Sequence, residues 1–318
     1  MEKLVEIRNL KKYFPTGKGI VHAVDDVNMS IARGTTMGVV GESGCGKSTM
    51  GRVLVHLETA TSGQILFKGQ EVSRVKGKRL RDYREHVQII FQDPYSSLNP
   101  RSTVEDTISE PLILSGKYKC SEIQAKTTEL MDLVGIAQRL RLSYPHEMDG
   151  GRRQRVGIAR ALALDPDFIV CDEPVSALDV SIQAQILNLL QDLQQEKGLT
   201  YMFITHDLSV VRHISTDISV MYLGQLVETS PSLELFRQSL HPYTKALLSA
   251  VPTTDIHHRM NRIILKGEIT SPIDPKPGCR FAPRCPYASE ACLKPQTLEE
   301  LAPGHFVACC KARQLNNL

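Results

Sequence analysis

The 318 residues carry a formal net charge of +3, with 42% hydrophobic and 23% charged residues. That length allows two or three domains around a large core, and the composition is ordinary for a globular chain. The small charge gives no electrostatic case for a nucleic-acid partner, no apolar run reaches membrane-span length, and Met1-Glu2-Lys3-Leu4 reads as a charged strand start rather than a secretory leader.

In chain order, Leu4–Ile7 and Thr36–Val40 are short apolar strand candidates. Lys47–His56 follows with Met50, Val53 and Leu54 at helical spacing. Further strand-like runs are Gln64–Lys68, Val87–Phe91, Phe168–Cys171, Thr200–Ile204 and Ile218–Tyr222. Helical periodicity marks Glu122–Val134, Arg153–Leu164, Val180–Glu196 and Leu208–His213. Strands alternating with helices predict an α/β domain with a largely parallel sheet. The stretch 102–142 reads as mainly helical and looks like an insertion into that sheet. After about Ser230 the alternation stops, and prolines from Pro231 through Pro252 to Pro303 mark a tail with few long elements. There is no internal repeat and no low-complexity segment.

Gly41-Glu42-Ser43-Gly44-Cys45-Gly46-Lys47-Ser48 fits the phosphate loop G-x-x-x-x-G-K-[ST], between a strand and a helix as that motif requires. Glycines let backbone N–H groups turn toward phosphate oxygens, and the helix N-terminus adds partial positive charge. Lys47 offers a point charge to the β- and γ-phosphates and Ser48 a hydroxyl to Mg²⁺. Cys45 lies beside that helix N-terminus and two residues from Lys47, which predicts a lowered thiol pKa and a reactive side chain protected by nucleotide. Phe168–Cys171 runs into Asp172 and Glu173. An aspartate at such a strand end holds Mg²⁺, and the following glutamate can orient or deprotonate the attacking water.

Gln92 in Ile-Ile-Phe-Gln-Asp-Pro, Ser176-Ala177-Leu178-Asp179, and His206 in Phe-Ile-Thr-His-Asp-Leu follow in order. They resemble the Q-loop, D-loop and switch histidine of ATP-binding cassette proteins. Residues 147–155 sit where that family carries its signature motif. Tyr13 resembles the aromatic that stacks on adenine, with Phe14 as a competing candidate. This resemblance spans residues 1–230. Ile90–Arg101, His241-Pro242-Tyr243-Thr244 and the Cys-rich tail are similar to the oligopeptide/dipeptide importer subfamily, which extends the likeness over almost the whole chain.

The resemblance implies an α/β fold with a phosphate-loop (RecA-like) ATPase core and an antiparallel β subdomain. An inserted helical subdomain and a Cys/Pro-rich C-terminal extension complete it. Expected boundaries are 1–95 with 163–230 for the core, 96–162 for the helical subdomain and 231–318 for the extension. It also implies ATP hydrolysis at the cytoplasmic face of the membrane, coupled to peptide import. Expected partners are two transmembrane permease subunits, an extracytoplasmic substrate-binding protein and a second, often non-identical ATPase, with no nucleic acid. Cargo could instead be a nickel chelate or another small solute, and a soluble cassette ATPase outside transport is a further alternative.

By the same resemblance, Gly44, Gly46, Lys47, Ser48 and Thr49 cradle phosphates and Mg²⁺, with Gly41, Ser43 and Cys45 in the same loop. Gln92 senses metal and water, Asp172 supports Mg²⁺, Glu173 is the catalytic base, and His206 contacts the γ-phosphate. Asp179 lines the subunit interface. The signature departs from the family's Leu-Ser-Gly-Gly-Gln: here it reads Met148-Asp149-Gly150-Gly151-Arg152. In the family this serine and these glycines reach the γ-phosphate held by the partner, so Asp149 brings a carboxylate toward an anion. Arg152 can offset that charge, or the pair can make one of two sites slow.

Five cysteines crowd the C-terminus, four of them spaced C-x5-C-x6-C-x16-C at Cys279, Cys285, Cys292 and Cys309. Paired zinc ligands usually lie closer together. Four thiolates in an irregular loop suit a [4Fe–4S] cluster, and the pattern resembles cluster-bearing tails of this subfamily. Zinc and free thiols remain alternatives, and Cys310 competes with Cys309 as the fourth ligand.

Overall fold

The computed structural model describes residues 2–251, 262–265, 267 and 271–318; Pro252 of the expected tail lies outside them. Two compact units divide the chain: Met1–Arg74 with Phe203–Leu318, and Val75–Met202.

The first unit opens on a long antiparallel pair, Lys3–Thr16 with Gly19–Ala32. Sequence periodicity finds only the start of it, Leu4–Ile7. The ladder slips register between Ile7 and Leu10 and twice more around Lys12, and Asn9 (φ 48°) and Asp26 (φ 58°) turn left-handed. Such bulges interrupt the period-two alternation that would mark a strand. Ser62–Phe67 and Gln70–Glu71 complete a four-stranded antiparallel sheet.

Thr36–Val40, buried at all five positions, pairs in parallel with Asp217–Tyr222. Strands covered on both faces are apolar on both, and here Val39, Val40, Ile218, Val220 and Met221 are buried, with Thr36 and Ser219 buried among them. Gln225–Pro231, His305–Val307 and Glu299–Ala302 add antiparallel strands beside it. The last two come from the Pro-rich tail, which is tied down by one acid. Glu228 is fully buried; its carboxylate accepts the N–H groups of Leu240 (2.6 Å) and His241 (3.0 Å) and meets His305 Nε2 at 2.7 Å. A buried carboxylate without such partners would be costly.

In the second unit, Val87–Ile90 pairs in parallel with Phe168–Asp172. Helices Gly77–His86, Val104–Ser115, Cys120–Leu133, Gly150–Leu162 and Val180–Lys197 make up most of the rest. Thr103 and Asp106 form a reciprocal capping box that starts Val104–Ser115. Among the described residues, no helix is long and apolar enough to cross a membrane.

Candidate active site

In the first unit the phosphate loop joins the strand Thr36–Val40 to the helix Lys47–Leu54. Two of its glycines are dictated by geometry. Gly46 has φ 105°, and a Cβ there would stand 1.9 Å from the Ala23 carbonyl oxygen. Gly41 has φ 155°, and its Cβ would stand 2.1 Å from the Met221 carbonyl oxygen. Only glycine allows the backbone to approach so closely. Lys47 is buried, and its Nζ donates to the carbonyls of Gly41 (2.8 Å) and Glu42 (3.0 Å). Ser43 and Gly44 are exposed, and Ser48 and Thr49 are half-buried at the helix start.

Cys45 corrects the sequence expectation. Its thiol is buried at 3% exposure, and burial pushes its pKa up; Lys47, with Nζ 3.8 Å from the sulfur, only partly opposes this. Desolvation disfavours the thiolate, so Cys45 is a packed thiol rather than an activated one.

Tyr13 is half-buried and stacks on His22, with centroids 4.0 Å apart and planes at 25°. Its hydroxyl donates to Asp25. Burial works to raise the Asp25 pKa, but Tyr13, Arg280 and His22 together hold the carboxyl below its ordinary value. His206 is exposed, just beyond the strand Thr200–Ile204. The next residue, Asp207, caps the helix Leu208–Ile214.

In the second unit, Asp172 closes a fully buried strand and is itself buried. Glu173 has φ 48°. A non-glycine residue in that region stores strain of order 1 kcal/mol or more, and such strain clusters at working sites. The turn that imposes it is closed by Ser176, whose N–H (3.3 Å) and Oγ (3.1 Å) both donate to the Glu173 carbonyl. Gln92 Nε2 donates to Glu173 Oε2 at 2.9 Å, so these two predicted residues meet. Asp179 caps Val180–Lys197; the N–H of Ile182 (3.0 Å) and the hydroxyl of Ser181 (3.0 Å) hold its carboxyl below the usual range.

Asp149 does for its helix what a serine would do: its Oδ1 accepts the Arg152 N–H at 2.8 Å and caps Gly150–Leu162. The Arg152 guanidinium pairs with it, Nε to Oδ2, at 3.4 Å. A Cβ on Gly151 would stand 2.7 Å from Ile182 Cγ2, so the second signature glycine is needed for packing.

Cys279, Cys285, Cys292 and Cys309 line one cavity together with His241, Phe281 and Lys311. Burial lifts the Cys279 thiol to about 11 and raises Cys285 and Cys309 as well. Cys310 Sγ lies 3.9 Å from Cys292 Sγ, so it stays beside the cluster. Among the described residues, no three or more His, Cys, Asp or Glu side chains are already arranged to hold a metal ion.

Sequence reasoning missed four residues of the tail and the first sheet: Asp25, Tyr243, Arg280 and Arg284. Arg284 grips the Glu42 carboxylate with both terminal nitrogens (2.8 and 3.2 Å), and the Glu42 N–H donates to the Tyr243 hydroxyl at 3.0 Å. Only the His-Pro-Tyr-Thr motif signalled any of them.

Comparison with known proteins agrees with this arrangement. A family model described as ABC transporter matches residues 24–176, and one described as oligopeptide/dipeptide transporter, C-terminal region, matches 227–292. The oligopeptide transport ATP-binding protein AppF of Bacillus subtilis is 52% identical, over 97% of each chain. The dipeptide transport ATP-binding protein DppF of Haemophilus influenzae is 47% identical, over 96% of each. Among solved structures, cbiO1 from Clostridium perfringens, part of the ABC transporter complex cbiONQ, superposes with a TM-score of 0.67 at 28% identity, covering 75% of this chain and 92% of that one. A dimeric ATP-binding cassette, MJ0796, in a post-hydrolysis state bound to ADP and Pi, gives 0.65 at 30% identity, covering 72% and 98%.

Proposed function

This chain belongs to the ABC transporter family, and we propose that it is the ATP-hydrolysing subunit of an oligopeptide or dipeptide importer. One observation carries the cargo class. Relatives named for oligopeptide and dipeptide transport align over 97% and 96% of the chain, tail included, and a model of that transporter type's C-terminal region matches 227–292. In this reading the protein is peripheral to the cytoplasmic face of the membrane. It binds two permease subunits and is served by an extracytoplasmic substrate-binding protein.

The residues have separate duties. Lys47 and the N–H groups of Gly44 to Thr49 hold the triphosphate at the start of a helix, where partial positive charge gathers. Ser48 and Asp172 are the residues that would hold Mg²⁺, which would supply charge neutralisation for the bound phosphates. Glu173 takes the proton of the attacking water, and the amide of Gln92, 2.9 Å away, fixes its orientation. His206 faces the γ-phosphate and stabilises charge there. Tyr13, already stacked on His22, is the residue that stacks on the base.

Nucleotide sites in such an assembly form between two cassettes, which the dimeric solved relative supports. We place a non-identical cassette opposite this one, because Asp149 stands where the family has a neutral serine. This chain's phosphate loop, Glu173 and His206 then work with the partner's signature. The site using Asp149 binds ATP and turns it over slowly.

Cys279, Cys285, Cys292 and Cys309 are the residues that would hold a [4Fe–4S] cluster. The cavity shared by all four supports that ligand set, although their thiols must shift to reach ligating positions. Such a cluster would supply cross-linking of an irregular tail. Iron and sulfide analysis after anaerobic purification tests it, and colourless, iron-free protein would reject it. For the ATPase itself, Glu173→Gln should keep ATP binding and lower turnover of its site by at least about a hundredfold. Unchanged turnover at that site would reject Glu173 as the base.

A further inference from the structure

We propose that Arg280 and Arg284, from the C-terminal tail, are positioning residues for the nucleotide: Arg284 sets the phosphate loop and Arg280 sets the base-stacking Tyr13. The inference rests on the nucleotide-site reading above and adds the tail to it.

Glu42 is the loop residue that the tail grips. Its N–H donates to Tyr243 Oη at 3.0 Å, its carboxylate takes the Arg284 fork at 2.8 and 3.2 Å, and its carbonyl accepts Lys47 Nζ at 3.0 Å. The carbonyl that Lys47 faces is therefore fixed from the tail. A bidentate guanidinium–carboxylate pair holds geometry as well as charge. The Arg284 side chain is only 9% exposed, so solvent screens this pair little. Beneath it, Tyr222 packs edge-on to Tyr243 at 4.6 Å and to Phe281 at 5.3 Å, which seats the tail segment rigidly.

Arg280 works one turn earlier. Its side chain is 6% exposed and donates to Asp25 and to the Leu223 carbonyl. Asp25 is the acceptor for the Tyr13 hydroxyl and also meets His22 Nδ1 at 3.3 Å. Tyr13 and the His22 ring it stacks on are thus both anchored to a carboxylate that Arg280 holds. The same backbone turn closes on the phosphate loop: the Gly224 N–H donates to the Cys45 carbonyl at 2.8 Å, and the Asp25 N–H donates to the Gly224 carbonyl at 2.8 Å. Both arginines lie inside the stretch bounded by Cys279 and Cys285, so the seating of that stretch reaches both ends of the nucleotide.

The test separates base from phosphates by titrating the full-length protein with ATP and with inorganic tripolyphosphate. Arg280→Gln should weaken ATP about tenfold and leave tripolyphosphate unchanged, the size expected for losing a charge-assisted hydrogen bond. Arg284→Gln should weaken both ligands about tenfold. Arg284→Lys should recover only part, because an ammonium cannot make the fork. Glu42→Gln should match Arg284→Gln, and the double variant should add nothing. Should Arg280→Gln not fold, Asp25→Asn makes the same comparison with a near-isosteric change. Affinities within twofold of wild type in both arginine variants would overturn the proposal. So would an Arg280→Gln (or Asp25→Asn) variant that loses ATP and tripolyphosphate alike. A Lys47→Ala protein that binds ATP as tightly as wild type would instead sink the nucleotide-site reading.

Discussion

Asp149→Ser isolates the charge in the signature from its capping role. Serine keeps a cap acceptor for the Arg152 N–H, now at 2.8 Å, so the helix Gly150–Leu162 should lose no more than a few tenths of a kcal/mol. The effect should appear at the site that receives this signature. A carboxylate about 4 Å from a phosphate oxygen repels it by about 4 kcal/mol at an effective dielectric near 20. The Arg152 guanidinium, paired with Asp149 at 3.4 Å, follows the carboxylate to that site. At about 6 Å from the same oxygen it returns about 3 kcal/mol. The remainder, about 1 kcal/mol, corresponds to a site weakened roughly tenfold. Serine no longer holds the Arg152 guanidinium there, so both charges leave together and Asp149→Ser should tighten ATP by about that factor. Arg152→Gln removes only the offset and should weaken ATP there by about two decades. The assay is a fluorescent-ATP titration of the assembled pair with this chain's own loop disabled by Lys47→Ala, which leaves the other site to report. Affinities within twofold of the parent for both variants would refute the electrostatic reasoning.

Three other outcomes are expected. Burial lowers the pKa of His241 from 6.5 to about 4. The unfolded imidazole therefore takes a proton first, and stability present above pH 6.5 is lost as pH falls toward 4, by up to about 3 kcal/mol. His241→Asn, which can keep the cap on the Tyr243 N–H, should flatten that part of a melt-versus-pH curve; parallel curves would contradict this. Gly46→Ala should cost roughly 1–3 kcal/mol and abolish tight ATP binding, since its Cβ has no room beside Ala23; a wild-type melt and affinity would reject the geometry. Iodoacetamide at pH 7.5 should label buried Cys45 far more slowly than exposed Cys120, and equal rates by mass spectrometry would show that burial does not govern the thiol.

What sequence spacing encodes is local placement within one strand–loop–helix unit, and that much of the candidate site is legible in the sequence. The phosphate loop, Asp172-Glu173 and the D-loop aspartate sit within single strand–loop–helix units, so spacing reports geometry. The long hairpin Lys3–Thr16 with Gly19–Ala32 is legible in sequence only at its first residues, because its bulges break alternation. Cys45 departs from its expected lowered pKa for a different reason. A helix N-terminus and a nearby lysine are visible in sequence, but the burial that outweighs them is not. Arg280 and Arg284 lie some 250 residues from Asp25 and Glu42, and nothing local to either partner marks the pairs. Asp149 lay between these cases. Its departure from the family pattern was plain, but only the fold showed that its carboxylate caps a helix and holds Arg152.

The most direct test of the account is ATP-driven uptake of a labelled peptide by proteoliposomes. They would contain this chain, its partner ATPase and the permease pair, with the substrate-binding protein added outside. Uptake should require ATP, fall by at least about a hundredfold with Glu173→Gln while ATP stays bound, and disappear with Lys47→Ala. Uptake indifferent to both changes, or ATP turnover by this chain with no association with any membrane partner, would contradict it.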